Sequence, residues 1–264
     1  MTDKMERIEP DRAEVSSLRT PELDLKDPPK AAGAVRRNRP ALAQGCGTTT
    51  AALPESDMAK AVGEPGWWRL KPEIQERFAK DVKAGQVKRY EGVMSEVACS
   101  KAGWLLAQLC RLLGTSLATA AGRDVPTTVL VYPDPSGMGT VWDRIYFFPE
   151  KAPVTVRSSK VLDERERLLE RVGGGFGMLL RVFEREQALH MVSQRYFLEW
   201  RGRRLYLPDL LSPGTAHVIH SDEGSGVFRF RLTIAHRLLG TLFFQDGLFS
   251  DDDETPSNPT GRQT

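Results

Sequence analysis

Cysteine is scarce in this chain. Its three copies, Cys46, Cys99 and Cys110, are odd in number and form no C-x-x-C pair. That argues against a disulfide scaffold or a zinc ribbon and suits reduced thiols in the cytoplasm. Long apolar runs are missing as well: nothing approaches the roughly 18–20 residues that cross a bilayer, so no membrane span is expected. The opening Met1-Thr2-Asp3-Lys4-Met5-Glu6-Arg7 is charged and has no apolar h-region, which argues against a secretory leader. Neither sign of charge dominates, with 37 basic and 35 acidic side chains. Residues 66–249 hold 26 of the former and 20 of the latter, a mild excess far from the basic stripe of a nucleic-acid binder. Histidine occurs four times, at His190, His217, His220 and His236, with neither His-x-His nor His-x-x-x-His spacing, so no metal site is expected. No Gly-x-Ser-x-Gly occurs.

What is present falls into a body and two tails. Residues 1–65 carry scattered charge, seven prolines and few aliphatics at any fixed period, and are expected to be a disordered tail. Residues 250–264 begin Asp251-Asp252-Asp253-Glu254 after Ser250 and read as a second, acidic tail. Between them, Pro72 and the spacing of Leu70, Ile74, Phe78 and Val82 predict a helix that Gly85 ends. Ser100 caps a second helix with Trp104, Leu105, Leu109, Leu112 and Leu113 at apolar positions, stopping at Gly114; Trp104 is expected in the core. A strand over residues 87–99 separates the two. From residue 127 onward the pattern is short alternating segments with turn residues between them. The clearest are 154–162, 188–200 and 227–234, where Phe228, Phe230, Leu232 and Ile234 share one face and Arg229, Arg231 and Thr233 the other. Around nine strands with few intervening helices predict an α+β fold, a large curved antiparallel sheet or half-barrel covered by N-terminal helices over residues 66–249.

Three stretches carry a family resemblance. They are Trp142-Asp143-Arg144, then Gly202-Arg203-Arg204-Leu205-Tyr206-Leu207-Pro208 with Leu211-Ser212-Pro213, and the ending Val227 to Phe249. Over about 180 residues, from Trp68 to Phe249, the chain resembles the bacterial family catalogued as domain of unknown function 4166. It departs from that pattern at His236, where a proline commonly precedes Leu-Leu-Gly, and at Phe244-Gln245-Asp246-Gly247, where an aromatic-acidic-glycine ending is more usual. The resemblance speaks to fold and hardly to reaction, and implies a context beside NAD(P)-binding oxidoreductase domains that raises an oxidoreductase as partner. It implies no cofactor of this chain's own.

The candidate site rests on Trp142, Arg144 and Tyr146, which share one face of a regular strand. An arginine among aromatics inside a curled sheet can hold the anionic end of an otherwise apolar ligand. The plainer reading stacks Arg144 on Trp142 or pairs it with an acid across the sheet. Arg229 and Arg231 join the site only if their face turns inward. A cavity enzyme of isomerase, cyclase or hydrolase type would need His190, His217 or Glu199 to point into the same space. Gly173-Gly174-Gly175-Phe176-Gly177 lacks a phosphate-loop ending and reads as a turn. Asp163 to Arg167, with Glu170 and Arg171, reads as an exposed, self-paired charge run. Arg195-Tyr196-Phe197 with the Trp200–Arg204 hairpin mixes cations and aromatics, but a solvated hairpin tip is the simpler account and no nucleic acid is expected. The function expected is binding of a small apolar or amphiphilic ligand in a cavity of the sheet, with a cavity enzyme or an accessory module for an oxidoreductase as alternatives.

Overall fold

Alternation from residue 88 onward produces eleven strands. The structure, a computed structural model, describes residues 52–112, 120–137 and 139–251. The strands are β1 (Lys88–Cys99), β2 (Gly122–Pro133), β3 (Thr140–Tyr146), β4 (Val154–Leu162), β5 (Leu168–Gly173), β6 (Phe176–Arg185), β7 (Ala188–Trp200), β8 (Arg203–Tyr206), β9 (Thr215–Gly224), β10 (Val227–His236) and β11 (Gly240–Asp251). They form one sheet in the order β6-β5-β4-β3-β2-β1-β11-β10-β9-β7-β8, and β6 pairs again with β7. All pairings are antiparallel.

The β6–β7 pairing closes the ring, so ten strands form a barrel and β8 hangs outside it on β7. The curved antiparallel sheet expected from sequence is present, and the half-barrel is corrected to a closed barrel. The physical reason lies in β7, which is 13 residues long. One of its edges takes β6 along most of its length. The other takes β9 through Leu189–Val192 and β8 through Phe197–Trp200. Closure pairs the rows of N–H and C=O groups that an open edge would expose.

Turn chemistry fits each hairpin. Gly173, Gly174 and Gly175 all have positive φ and make the β5–β6 turn, as Arg201-Gly202 does between β7 and β8. Inside, one face of each of the ten barrel strands supplies the core. Tyr90, Val129, Tyr146, Phe228, Phe230 and Phe249 belong to one of its clusters. Outside, charged side chains pair along the strands, as in Asp143 with Arg157 and Glu199 with Arg171. No helix among the described residues is long and apolar enough to cross a membrane.

Three short helices, α1 (Asp57–Val62), α2 (Glu64–Trp67) and α3 (Pro72–Phe78), pack against one end of the barrel. The Ser56 hydroxyl accepts the Ala59 N–H at 3.2 Å and caps α1, while Met58, Ala59, Trp67, Ile74 and Phe78 are buried. The packed body thus includes residues assigned to the tail in the sequence reading. The tail expectations for residues 1–51 and 252–264 fall outside the described residues. The helix expected to run to Gly85 stops at Phe78, and Val82 packs on the barrel core beyond it.

At the opposite end, α4 (Lys101–Leu112) starts where Ser100 donates its N–H to the Leu242 carbonyl and accepts the Gly103 N–H on its hydroxyl. Its buried face is built from small residues. Ala107 is fully buried, and a Cβ at Gly103 would run into the Leu242 carbonyl. Trp104, expected in the core, is instead 52% exposed, and Leu105 is 67% exposed. Close approach of the helix backbone to β11 requires small side chains at the contact, which turns the large ones outward. Gly114 lies outside the described residues.

Candidate ligand chamber

The inward face of β3 presents Trp142, Arg144 and Tyr146 in that order from the capped end toward α4. Trp142 belongs to the seal: its ring stacks near Phe78 of α3 (centroids 6.4 Å, 26°) and Lys160 lies 4.9 Å over it. Beyond this layer the barrel encloses a chamber of about 90 Å³, lined by Arg144, Tyr146 and apolar side chains that include Val156, Leu180, Val218 and Leu232. A smaller void of about 20 Å³ lies between Arg144, Trp142 and His220.

Arg144 keeps 13% exposure. One of its nitrogens, Nη1, donates to Ser158 Oγ at 3.4 Å, its Nη2 is 3.9 Å from Glu170 Oε1, and its guanidinium stands 5.7 Å from the centre of the Phe230 ring. These are long contacts for a group with five N–H donors. The stacking anticipated on Trp142 is made by Lys160 instead. Lys160 Nζ donates to Glu170 Oε1 at 3.0 Å in a fully enclosed pair. Burial pushes the Lys160 ammonium below its usual range. Burial also opposes ionisation of Glu170, but Lys160 and then Arg144 outweigh it and hold that carboxyl below the ordinary carboxylate range.

Tyr146 Oη donates to Gln245 Oε1 of β11 at 3.0 Å, across the barrel. Gln245 stands in the motif where the chain departs from the family pattern. A Tyr146→Phe variant leaves the Gln245 oxygen without that donor, and we expect a loss of about 1–3 kcal/mol in urea unfolding. A loss within error would mean water replaces the hydroxyl.

Arg229 and Arg231 lie on the outer face of β10 and share Asp246, at 2.7 and 3.1 Å. The condition for their joining the site is not met, because Phe228 and Phe230 take the inward positions. His190 and His217 also face outward. Their rings meet across β7 and β9, with His190 Nδ1 2.9 Å from His217 Nε2, and Phe183 stacks on His190. Burial, then the His190 and Arg185 charges, bring His217 down to about 4. Glu199 is held outside by Arg171 and Arg204. None of the three acid/base candidates named from sequence reaches the chamber.

Sequence reasoning passed over the inward-facing Lys160, Glu170 and His220. Glu170 was placed in an exposed charge run, yet it alternates with Leu168 and Val172, which line the interior with it. That parity was the available signal. His220 is 5% exposed and ringed by Phe78, Trp142, Phe228 and Phe230; its Nδ1 has no hydrogen-bond partner among the described residues. Burial, then Arg77, Lys160 and Arg144, bring it to about 3, so the ring is neutral.

The family model described as domain of unknown function (DUF4166) matches residues 70–249, which runs from the end of α2 to β11 and takes in all the chamber-lining strands. The chain belongs to this DUF4166 family. It is also similar to the uncharacterised protein YndH of Bacillus subtilis (strain 168), with 27% identity over 195 residues, covering 70% of this chain and 92% of that relative. No solved structure matches. The helix α1 that helps cap the barrel lies outside the DUF4166 match, whereas Arg144, Lys160 and Glu170 lie within it.

Proposed function

We propose that the barrel binds a small, largely apolar ligand with an anionic end, and that Arg144 anchors that end. The observation that carries this reading is a nearly buried guanidinium, partnered only at long distance, facing an apolar chamber. Burying a cation is costly unless a well-placed acceptor meets it, and a fork-shaped donor suits a planar anion best. Trp142 forms the floor beside the anchor and Tyr146 the wall. Small-molecule sites have this composition, an apolar lining with a few fixed polar groups.

Native mass spectrometry of the full chain purified from its own host tests the reading. We expect one adduct per chain in the wild type, and at least tenfold lower occupancy in Arg144→Ala when ligand is limiting. Equal occupancy in the variant would remove Arg144 as anchor. An empty wild type that also takes up no eight-carbon amphiphile would remove the ligand-binding reading.

A further inference from the structure

We infer that the ligand is a single-tailed monocarboxylate, held with its head at Arg144 and its tail toward α4. This rests on the binding reading above and narrows it to one chemistry.

Charge decides the head group. Among the described residues, the charged side chains that line the chamber are Arg144, Glu170 and Arg157, the last paired outside with Asp143, and Lys160 reaches Glu170 from the seal. Lys160 and Glu170 close on each other at 3.0 Å, which leaves Arg144 as one uncompensated positive charge. A carboxylate carries one negative charge and two oxygens spaced for the guanidinium fork, so it neutralises the site. A phosphate monoester carries about 1.5 to 2 negative charges near pH 7 and would leave an excess in a low-dielectric space. An alcohol would leave the cation uncompensated, and a quaternary ammonium would add to it.

The wall decides the orientation. Trp142, Phe78 and Leu168 seal the end beyond Arg144. From Arg144 in the other direction the lining turns to Met178, Ala216, Ile234 and Phe243, residues that also form or adjoin the cluster under α4. A tail therefore has the open chamber on the α4 side, whereas beyond the head only a void of about 20 Å³ remains. About 90 Å³ of chamber excludes a two-tailed lipid.

Isothermal titration of the full chain with octanoate, octyl phosphate, octanol and octyltrimethylammonium tests the head group. Octanoate is expected to bind at least tenfold tighter than the other three. In Arg144→Gln that preference should collapse while octanol affinity stays within twofold. Octyl phosphate or octanol binding as tightly as octanoate would overturn the monocarboxylate assignment and leave a binding chamber standing. Binding of none of the four would overturn both. A second measurement does not depend on the folding of Arg144→Gln: quenching of Trp142 by brominated octanoates, with Trp142→Phe as the blank. Bromine at carbon 2 should quench more than bromine at carbon 8, and the reverse order would overturn the head-inward orientation.

Discussion

Acidification from pH 7 to pH 4 should remove several kcal/mol of stability, and His220 should account for a definite part of the slope. A histidine held neutral by burial has a folded pKa below its unfolded value of about 6.5. Below pH 6.5 the unfolded chain takes up a proton that the folded chain refuses, so stability is full above 6.5 and falls as pH falls. The fall continues to about 3 for His220 and about 4 for His217. Each fully buried histidine contributes a slope of about 1.4 kcal/mol per pH unit in its window. His217 is only half-buried, so solvent screening reduces its share. Urea unfolding at pH 7, 5.5 and 4.5 reads the slope directly. His220→Phe keeps an aromatic ring among Phe78, Trp142, Phe228 and Phe230, and removes an Nδ1 that has no hydrogen-bond partner among the described residues. It should be no less stable than wild type at pH 7 and should lose about 1.4 kcal/mol per unit less on the way to pH 4.5. An unchanged slope in the variant would mean that His220 already titrates near its ordinary pKa.

The same residue shows how far the sequence was legible. Strand positions are local, and the alternation located 154–162 and 188–200 as they stand in β4 and β7. Which way a strand faces is also local, and placed Trp142, Arg144 and Tyr146 together. Closure is not local. It depends on Phe176–Arg185 and Thr215–Gly224 both pairing with β7, and no periodicity in either segment announces its partner. The meeting of His190 with His217 is of the same kind, because it needs the β7–β9 register. The last strand was hard to read for a different reason: Gln245, Asp246 and Gly247 interrupt its apolar run, although Gln245 faces inward to Tyr146 and a Cβ at Gly247 would crowd Met94. α1 is too short, at six residues, to show a helical period. Size misled at α4, where large apolar residues were assigned to the core while Gly103 and Ala107 make the contact.

Removing the Glu170 carboxylate should be among the most costly single changes inside the barrel. Glu170→Leu leaves Lys160 without the acceptor at 3.0 Å and Arg144 without the nearest compensating charge, both within an apolar shell. Breaking a buried ion pair from one side costs about 3–5 kcal/mol, because the remaining charge is stranded. Lys160 can respond by losing its proton, since burial already lowers its pKa and Glu170 was the group opposing that. A lysine with a depressed folded pKa makes the protein more stable as pH rises toward its unfolded value of about 10.4. The deficit of Glu170→Leu against wild type should therefore shrink between pH 7 and pH 10. Lys160→Met combined with Glu170→Leu replaces the pair with apolar side chains of similar length, and we expect it to recover most of the loss. Urea unfolding of the four proteins in this cycle at both pH values measures the coupling. A double variant as unstable as Glu170→Leu would shift the cost onto Arg144, whose charge then has no carboxylate nearby, and adding octanoate should in that case restore stability in proportion to its occupancy.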